Sequence, residues 1–318
     1  MTEQTQTKKS LWGWITKVRQ LIPTTIRFKI ILPYLILTMI VGAVGIYVVT
    51  QLVSQSLDER LDSYLGESGR ALLNNWARYE RNEHLDLADR FIRTTGFIDA
   101  MDDRDVTWLV QQIQSQMITR NSDMFMIITP QDRSLIHVLR EEGRLEEKPF
   151  PADTEYAWVV QEILDSGDPA IFPKHAIGIH PVDEEYYYFT AAPIGLEGEL
   201  IGVILVGSRL SQMTPEFQTS ALSQITIYLW EGQAIHTTFS LASDAQDYQA
   251  LLSELSISPE TAERILRMDN EVLFEDIDNQ KIRGREYRLA YGAIQIHSER
   301  LGIYSVALPR RFVRETGN

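Results

Sequence analysis

The chain has 318 residues, 30 basic and 44 acidic side chains for a formal charge of −14, and 44% hydrophobic residues. That apolar content excludes a disordered chain, and the acidity argues against a phosphate backbone as partner, since nucleic acid is held by clustered Lys and Arg. The absence of cysteine excludes disulfides, thiolate catalysis and cysteine-ligated zinc together.

In chain order, residues 1–29 are a basic leader with six Lys or Arg against the single acid Glu3. Within it, Leu11-Trp12-Gly13-Trp14-Ile15 reads either as an amphipathic segment on the inner leaflet or as an unstructured leader. Ile30 to Thr50 holds no charge. Those positions form a helical rod of about 31 Å, the thickness of a bilayer's hydrocarbon core. Residues 30–53 are therefore expected to cross a membrane, with Pro33 in the first turn. The leader and apolar run are too long for a cleaved signal peptide, and no small-residue cleavage site follows. The basic flank places the N-terminus in the cytoplasm, so residues 54–318, with 24 basic and 43 acidic side chains, face the periplasm or exterior.

Leu57, Leu61, Leu65, Leu72, Trp76, Tyr79, Leu87 and Phe91 recur at steps near three and four. This predicts one long amphipathic stalk helix from about Ser54 to about Thr94. Gly66, Ser68 and Gly69 mark a bend or a close contact with a dimer partner; the other reading is a helix packed on its own domain. Val106, Leu109, Val110, Ile113 and Met117 predict a covering helix over Arg104–Arg120. Met124–Thr129 and Ser134–Leu139 read as a hairpin around Pro130-Gln131-Asp132-Arg133, with an exposed charged loop from Glu141 to Lys148. A helix over Tyr156–Leu164 is stopped by Ser166-Gly167-Asp168-Pro169. Strands follow over Ala170–Ile179, Glu185–Pro193 and Glu199–Leu210.

The run Tyr188-Phe189-Thr190-Ala191-Ala192-Pro193-Ile194, a turn at Leu196-Glu197-Gly198, then Leu200-Ile201-Gly202-Val203-Ile204-Leu205-Val206-Gly207 resembles the closing hairpin of double Cache domains. These PAS-like modules are the extracytoplasmic sensors of bacterial transmembrane signal-transduction receptors. A second, smaller copy follows: strands Ser223–Trp230 and Gln233–Phe239 around Glu231-Gly232, and a helical stretch Asp247–Arg267 broken at Ser258-Pro259, where Ser258 can cap. Strands Lys281–Ala290, Ile294–Ile296 and Leu301–Pro309 complete it, and Leu301-Gly302-Ile303 echoes Ile201-Gly202-Val203. The expected fold is α+β: a transmembrane helix continuing into a stalk helix that carries two tandem antiparallel sheets. Residues 54–122 would be the stalk and covering helix, 123–215 the membrane-distal unit, 216–313 the membrane-proximal unit and 314–318 a tail.

The resemblance implies a sensor that binds a small molecule in the distal unit and signals across the membrane; separately, the stalk helix is expected to form a homodimer. The PAS-like pocket lies between the sheet and the segment joining its second and third strands. That places Lys174, His175, His180, Asp183, Tyr186 and Tyr188 near a ligand, with alternation sending Tyr186 and Tyr188 to one face and Tyr187 and Phe189 to the other. The Arg-x-Trp-Tyr stretch that grips amino acids in many such receptors is missing, so the ligand class stays open. No second membrane helix or output domain follows, so the chain is expected to be the front of a receptor or a stand-alone anchored module, and not itself an enzyme. No cofactor or metal is expected: His175 and His180 are five apart, which fits neither strand alternation nor helical i, i+4 ligation. Asp183-Glu184-Glu185 lacks a calcium-loop pattern. The rival readings are an anchored envelope hydrolase and an envelope module that binds a protein.

Overall fold

The computed structural model describes residues 26–130, 135–148, 157–267, 277–297 and 299–310. The Leu11–Ile15 segment, the Gln131–Arg133 turn, Tyr156 and the 314–318 tail lie outside them. The chain divides into two compact units, residues 1–59 and 60–318.

In the first unit the described backbone is all helix, the start of α1 (Ile26–Tyr79). Because α1 begins at Ile26, Pro33 stands inside it and not in its first turn. Tyr34, Met39, Ile46 and Tyr47 are among its exposed large side chains. Among the described residues this is the one helix long and apolar enough to cross a membrane.

In the second unit helical backbone runs on through α1, a π-helical segment Glu80–Leu85 and α2 (Asp86–Ile92). Leu61, Leu65, Leu72, Trp76 and Tyr79, five of the apolar positions read from periodicity, are buried. Helix continues through Gly66 to Gly69 without interruption. The contact there is made within the chain: Ser68 Oγ donates to the Ala221 carbonyl at 2.7 Å. The departure from α geometry comes later, in the π segment, which turns Glu80 and His84 into the interior. The expected covering helix Arg104–Arg120 is α4 (Val106–Met117), capped by Asp105, which accepts from the Trp108 N–H at 3.0 Å; a short helix α3 (Phe97–Asp102), unassigned in the sequence, precedes it.

The first sheet contains β1 (Met124–Ile128), β2 (Ile136–Glu141), β3 (Arg144–Glu147), β4 (Lys174–Ile179), β5 (Tyr186–Leu196) and β6 (Glu199–Arg209), in the order β3-β2-β1-β6-β5-β4. The expected charged loop Glu141–Lys148 is thus a hairpin. Glu142 and Gly143 take φ of 46° and 80°, the mirror-image two-residue turn, so the chain folds back and β3 pairs with β2 while keeping its side chains mostly outward. A helix, α5 (Ala157–Ser166), connects β3 to β4.

After β6 comes α6 (Leu210–Ala221), which the sequence reading left unassigned. Pro215 reads as a breaker, yet Leu210, Met213, Phe217 and Ala221 recur on one face and are all buried. The second sheet holds β7 (Gln224–Tyr228), β8 (Ala234–Thr237), β9 (Ile277–Ile282), β10 (Arg285–Ile296) and β11 (Glu299–Pro309), in the order β8-β7-β11-β10-β9. α7 (Ala245–Leu255) and α8 (Pro259–Arg267) join β8 to β9, and Ser258 Oγ accepts from the Thr261 N–H as its cap. The expected strand Lys281–Ala290 is split by Arg283-Gly284, again a pair with positive φ, and Ile294–Ile296 belongs to β10. With β3 set aside, both sheets have the same strand order.

Four apolar cores follow from these layers. α1 and α6 cover one face of the second sheet, α7 and α8 the other. α2, α3 and α4 cover one face of the first sheet, and α5 the other. Tyr188 of β5 joins the core beneath α1, and Arg288 of β10 donates to Asp62 through Nε and Nη2 at 2.5 and 2.8 Å.

Candidate functional site

Alternation along β5 decides what each face presents. Tyr187, Phe189 and Ala191 point toward α5, and Tyr188 points beneath α1. β4 ends at Ile179, and the turn to β5 is closed by the Glu184 N–H donating to the His180 carbonyl and the His180 N–H to that of Glu185, each at 2.9 Å. That turn swings His180 and Asp183 against Tyr187.

On the α5 side the result is a buried polar cluster. Asp183 accepts from the Tyr187 hydroxyl at 2.7 Å and from Arg209 Nη2 and Nε at 2.7 and 3.0 Å, and it lies 3.3 Å from His180 Nδ1. Arg209 ends β6 in register with Tyr187, and its guanidinium lies over that ring at 5.4 Å. Its backbone N–H donates to Asp123 at 2.9 Å and its Nη2 to the Arg140 carbonyl at 2.8 Å. His137 on β2 meets His180 with their Nε2 atoms 3.3 Å apart. In the tautomer whose Nδ1–H donates to Asp183, His180 presents its Nε2 lone pair to His137. Burial opposes the Asp183 charge, but the hydrogen bonds from His180, Tyr187 and Arg209 outweigh it and hold the carboxyl well below the usual range. Burial raises Asp123, and the Arg209 N–H bond with the charges of Arg209 and Arg140 offsets only part of that.

On the α1 side a second cluster forms around the π segment. His84 Nδ1 meets Thr190 Oγ1 at 2.8 Å, and its Nε2 meets Ser208 Oγ at 2.9 Å. The Tyr79 hydroxyl donates to the Asn121 carbonyl at 2.9 Å. Burial, with His175 nearby, pushes His84 down to about 3, so the ring is neutral. Tyr188 stacks between His84 and His175, with ring centroids 5.2 and 6.2 Å away. His175 Nε2 lies 2.8 Å from Glu80, and its Nδ1 lies 3.1 Å from Glu299.

The six residues expected near one ligand are therefore divided. His180 and Asp183 share the α5-side cluster. His175 and Tyr188 belong to the α1 side, with Tyr186 half-buried against the same core. Lys174 pairs with Glu162 of α5 and Glu299 of β11. Placing Tyr186 and Tyr188 beside Asp183 is corrected: alternation gives that place to Tyr187. No sequence pattern marks His137, Arg209, Asp123 and Arg140 on one side or Glu80, His84 and Glu299 on the other. Tyr187 was legible as the alternate choice; the rest are joined by pairings between distant strands. Among the described residues no three His, Asp or Glu are grouped to hold a metal. An open depression of about 390 Å³, lined by Leu222, Ser223, Gln224, Leu308 and others, lies apart from both clusters and has no ionisable side chain in its lining.

Residues 175–311 match the family model described as the double sensory domain of two-component sensor kinases. No curated protein matches the chain. The extracellular domain of vpHK1S-Z8, described as a histidine kinase, is 12% identical with a TM-score of 0.57, over 83% of this chain and 95% of that one. A domain of a sensory box/GGDEF family protein from Vibrio parahaemolyticus is 10% identical with a TM-score of 0.55, over 80% and 97%. The ligand-binding domain of the Pseudomonas aeruginosa amino acid chemoreceptor PctB, in complex with L-Arg, is 11% identical with a TM-score of 0.47, over 82% and 99%. These are sensory domains. Two antiparallel sheets of one strand order, preceded by a long helix, are the fold this chain shares with the extracellular domain of vpHK1S-Z8, and residues 175–311 of it are similar to the double sensory domain of two-component sensor kinases.

Proposed function

We propose that this chain is the membrane-anchored input region of a signal-transduction receptor, with residues 54–318 outside the cytoplasm. In this reading residues 123–215 are the membrane-distal unit and 216–313 the membrane-proximal one. The distal unit binds a small polar molecule on the α5 face of its sheet, at His137, His180, Asp183, Tyr187 and Arg209. One observation carries this: a buried ionic cluster interrupts a sheet face otherwise built from Met124, Met126, Leu139, Val203 and Leu205. Buried ion pairs are often no more stabilising than apolar packing of the same volume, so a cluster here is better accounted for by ligand exchange than by stability.

Transmission follows from the strands. Tyr187 and Arg209 on the α5 side are sequence neighbours of Tyr188 and Ser208, which hold His84 of the π segment. A ligand that draws Arg209 or Asp183 out of their mutual contact shifts the ends of β5 and β6, and the same shift moves the seat of His84. The ligand acts by binding one of two arrangements more tightly, a population shift.

The test is a thermal-shift screen of the full chain in detergent against amino acids, organic acids, polyamines, sugars and divalent metals. A ligand at a hundred times its Kd adds about 2.7 kcal/mol. The reading holds if one class raises the midpoint and Tyr187→Phe or His180→Gln weakens that rise. A rise that both variants leave intact, or no rise across the panel, overturns it.

A further inference from the structure

The α1-side cluster contains one ring whose partners do not balance when it is neutral. His175 is 1% exposed. Its Nε2 lies 2.8 Å from Glu80 Oε1 and its Nδ1 3.1 Å from Glu299 Oε2, which also accepts from the His175 backbone N–H at 3.2 Å. A neutral imidazole has one N–H and one lone pair, so it can donate to only one of two carboxylates. Facing two, it must carry both protons, meet one carboxyl that is itself protonated, or aim a lone pair at a carboxylate oxygen.

Glu299 is placed to stay charged: although burial raises it, Lys174 and His175 together hold it below the usual range. Glu80 is 3% exposed, with its Oε1 against His175 Nε2. His297 Nε2, in the turn before β11, is 3.6 Å from it. The ionisable groups facing His175 are thus Glu80 and His84 from the π segment, Tyr188 from β5, Lys174 on its own strand with Glu162 of α5 behind it, and His297 and Glu299 from the β10–β11 hairpin. His84 is neutral on the far side of the Tyr188 ring, so it adds no competing charge.

We propose that His175 is a proton-operated pin: as imidazolium it ties the π segment, the edge strand of the first sheet and the first residue of β11 together, and loss of one proton releases either Glu80 or Glu299. The ligand of this joint is the proton, and the device is independent of the ligand site proposed above. It makes the seam between helix and sheets sensitive to external pH. The π segment is the part free to answer, since an α-helix holds a π turn only while something outside the helix favours it.

The experiment uses the full chain in detergent micelles, with ¹⁵N-labelled histidine and amide hydrogen exchange followed from about pH 5 to 8. His175→Gln assigns the resonance. In the wild type, His175 is expected to carry protons on both ring nitrogens at the acid end and to lose one as pH rises. Exchange in Glu80–Leu85 and at the start of β11, corrected for its intrinsic pH dependence, should rise about tenfold over the same step, the loss of one charged hydrogen bond. His175→Gln should abolish the step. If that variant does not fold, Glu299→Gln, altered at a side chain 23% exposed, should move the step to lower pH. A singly protonated His175 throughout, a step that survives His175→Gln, or a step that Glu299→Gln leaves in place overturns the proposal.

Discussion

Asp183 and Arg209 are the residues whose chemistry is most sharply set by their surroundings. Each side chain is about one-sixth exposed or less, and each needs the other. Asp183→Asn leaves Arg209 buried with one charge partner fewer and is expected to cost about 3 kcal/mol in denaturant unfolding. Because the folded Asp183 carboxyl titrates below its unfolded value, its contribution is present above about pH 4 and is lost as pH falls toward the folded value. The acid limb of the stability curve should be shallower in Asp183→Asn. His84 has the opposite chemistry and the same direction in acid. Between about pH 6.5 and 3 the unfolded chain takes a proton that the folded ring refuses, so stability declines as pH drops through that interval. His84→Gln should flatten the decline, as measured by thermal midpoints at stepped pH. Of this residue-level chemistry, His180 and Asp183 were legible because they lie three positions apart in one turn. His137 with His180, or Glu80 with His175, were not, because each pair joins segments distant in sequence.

At the scale of elements, the repeated Ile-Gly-Val and Leu-Gly-Ile stretches have a shared steric cause. A Cβ on Gly202 would lie 2.8 Å from the Ile128 carbonyl oxygen, and one on Gly302 would lie 2.6 Å from that of Tyr228. Each glycine sits next to the residue that pairs with the end of the first strand of its sheet, opposite a register shift at Ile194/Gly195 or Ile294/Gln295. Gly302→Ala is expected to cost about 1–3 kcal/mol, since the neighbour is backbone and cannot rotate away. A chemical-denaturation midpoint unchanged from wild type would refute that cause. Periodicity made the long helix and most strands readable. It could not separate a π turn from an α turn at Glu80–Leu85, because the same residues satisfy both and the choice is made by what His84 and Glu80 meet. Nor could it show α6, where Pro215 masks an apolar face, or β3, whose polar residues pair through backbone alone.

At the scale of the molecule, one strand order is used twice, and the helical run from α1 to α2 packs against both sheets. The sheets meet at β4 and β11, through Lys174, His175 and Glu299. Tyr188→Ala would empty the space between His84 and His175 beneath Trp76, and is expected to cost about 3–5 kcal/mol by unfolding. The fold was legible in the sequence because the closing hairpin repeats. The site was legible only in part, because which face of β5 lies toward α5 is set by the helices that cover it and not by the strand itself.

The most direct measurement is amide hydrogen exchange on the full chain in detergent, with and without the small molecule that raises its thermal midpoint. The account predicts added protection at residues 180–187 together with a change at Glu80–Leu85 on the opposite face of the same strands. Protection confined to the depression around Leu222 and Leu308, with residues 180–187 and the π segment unchanged, would contradict it.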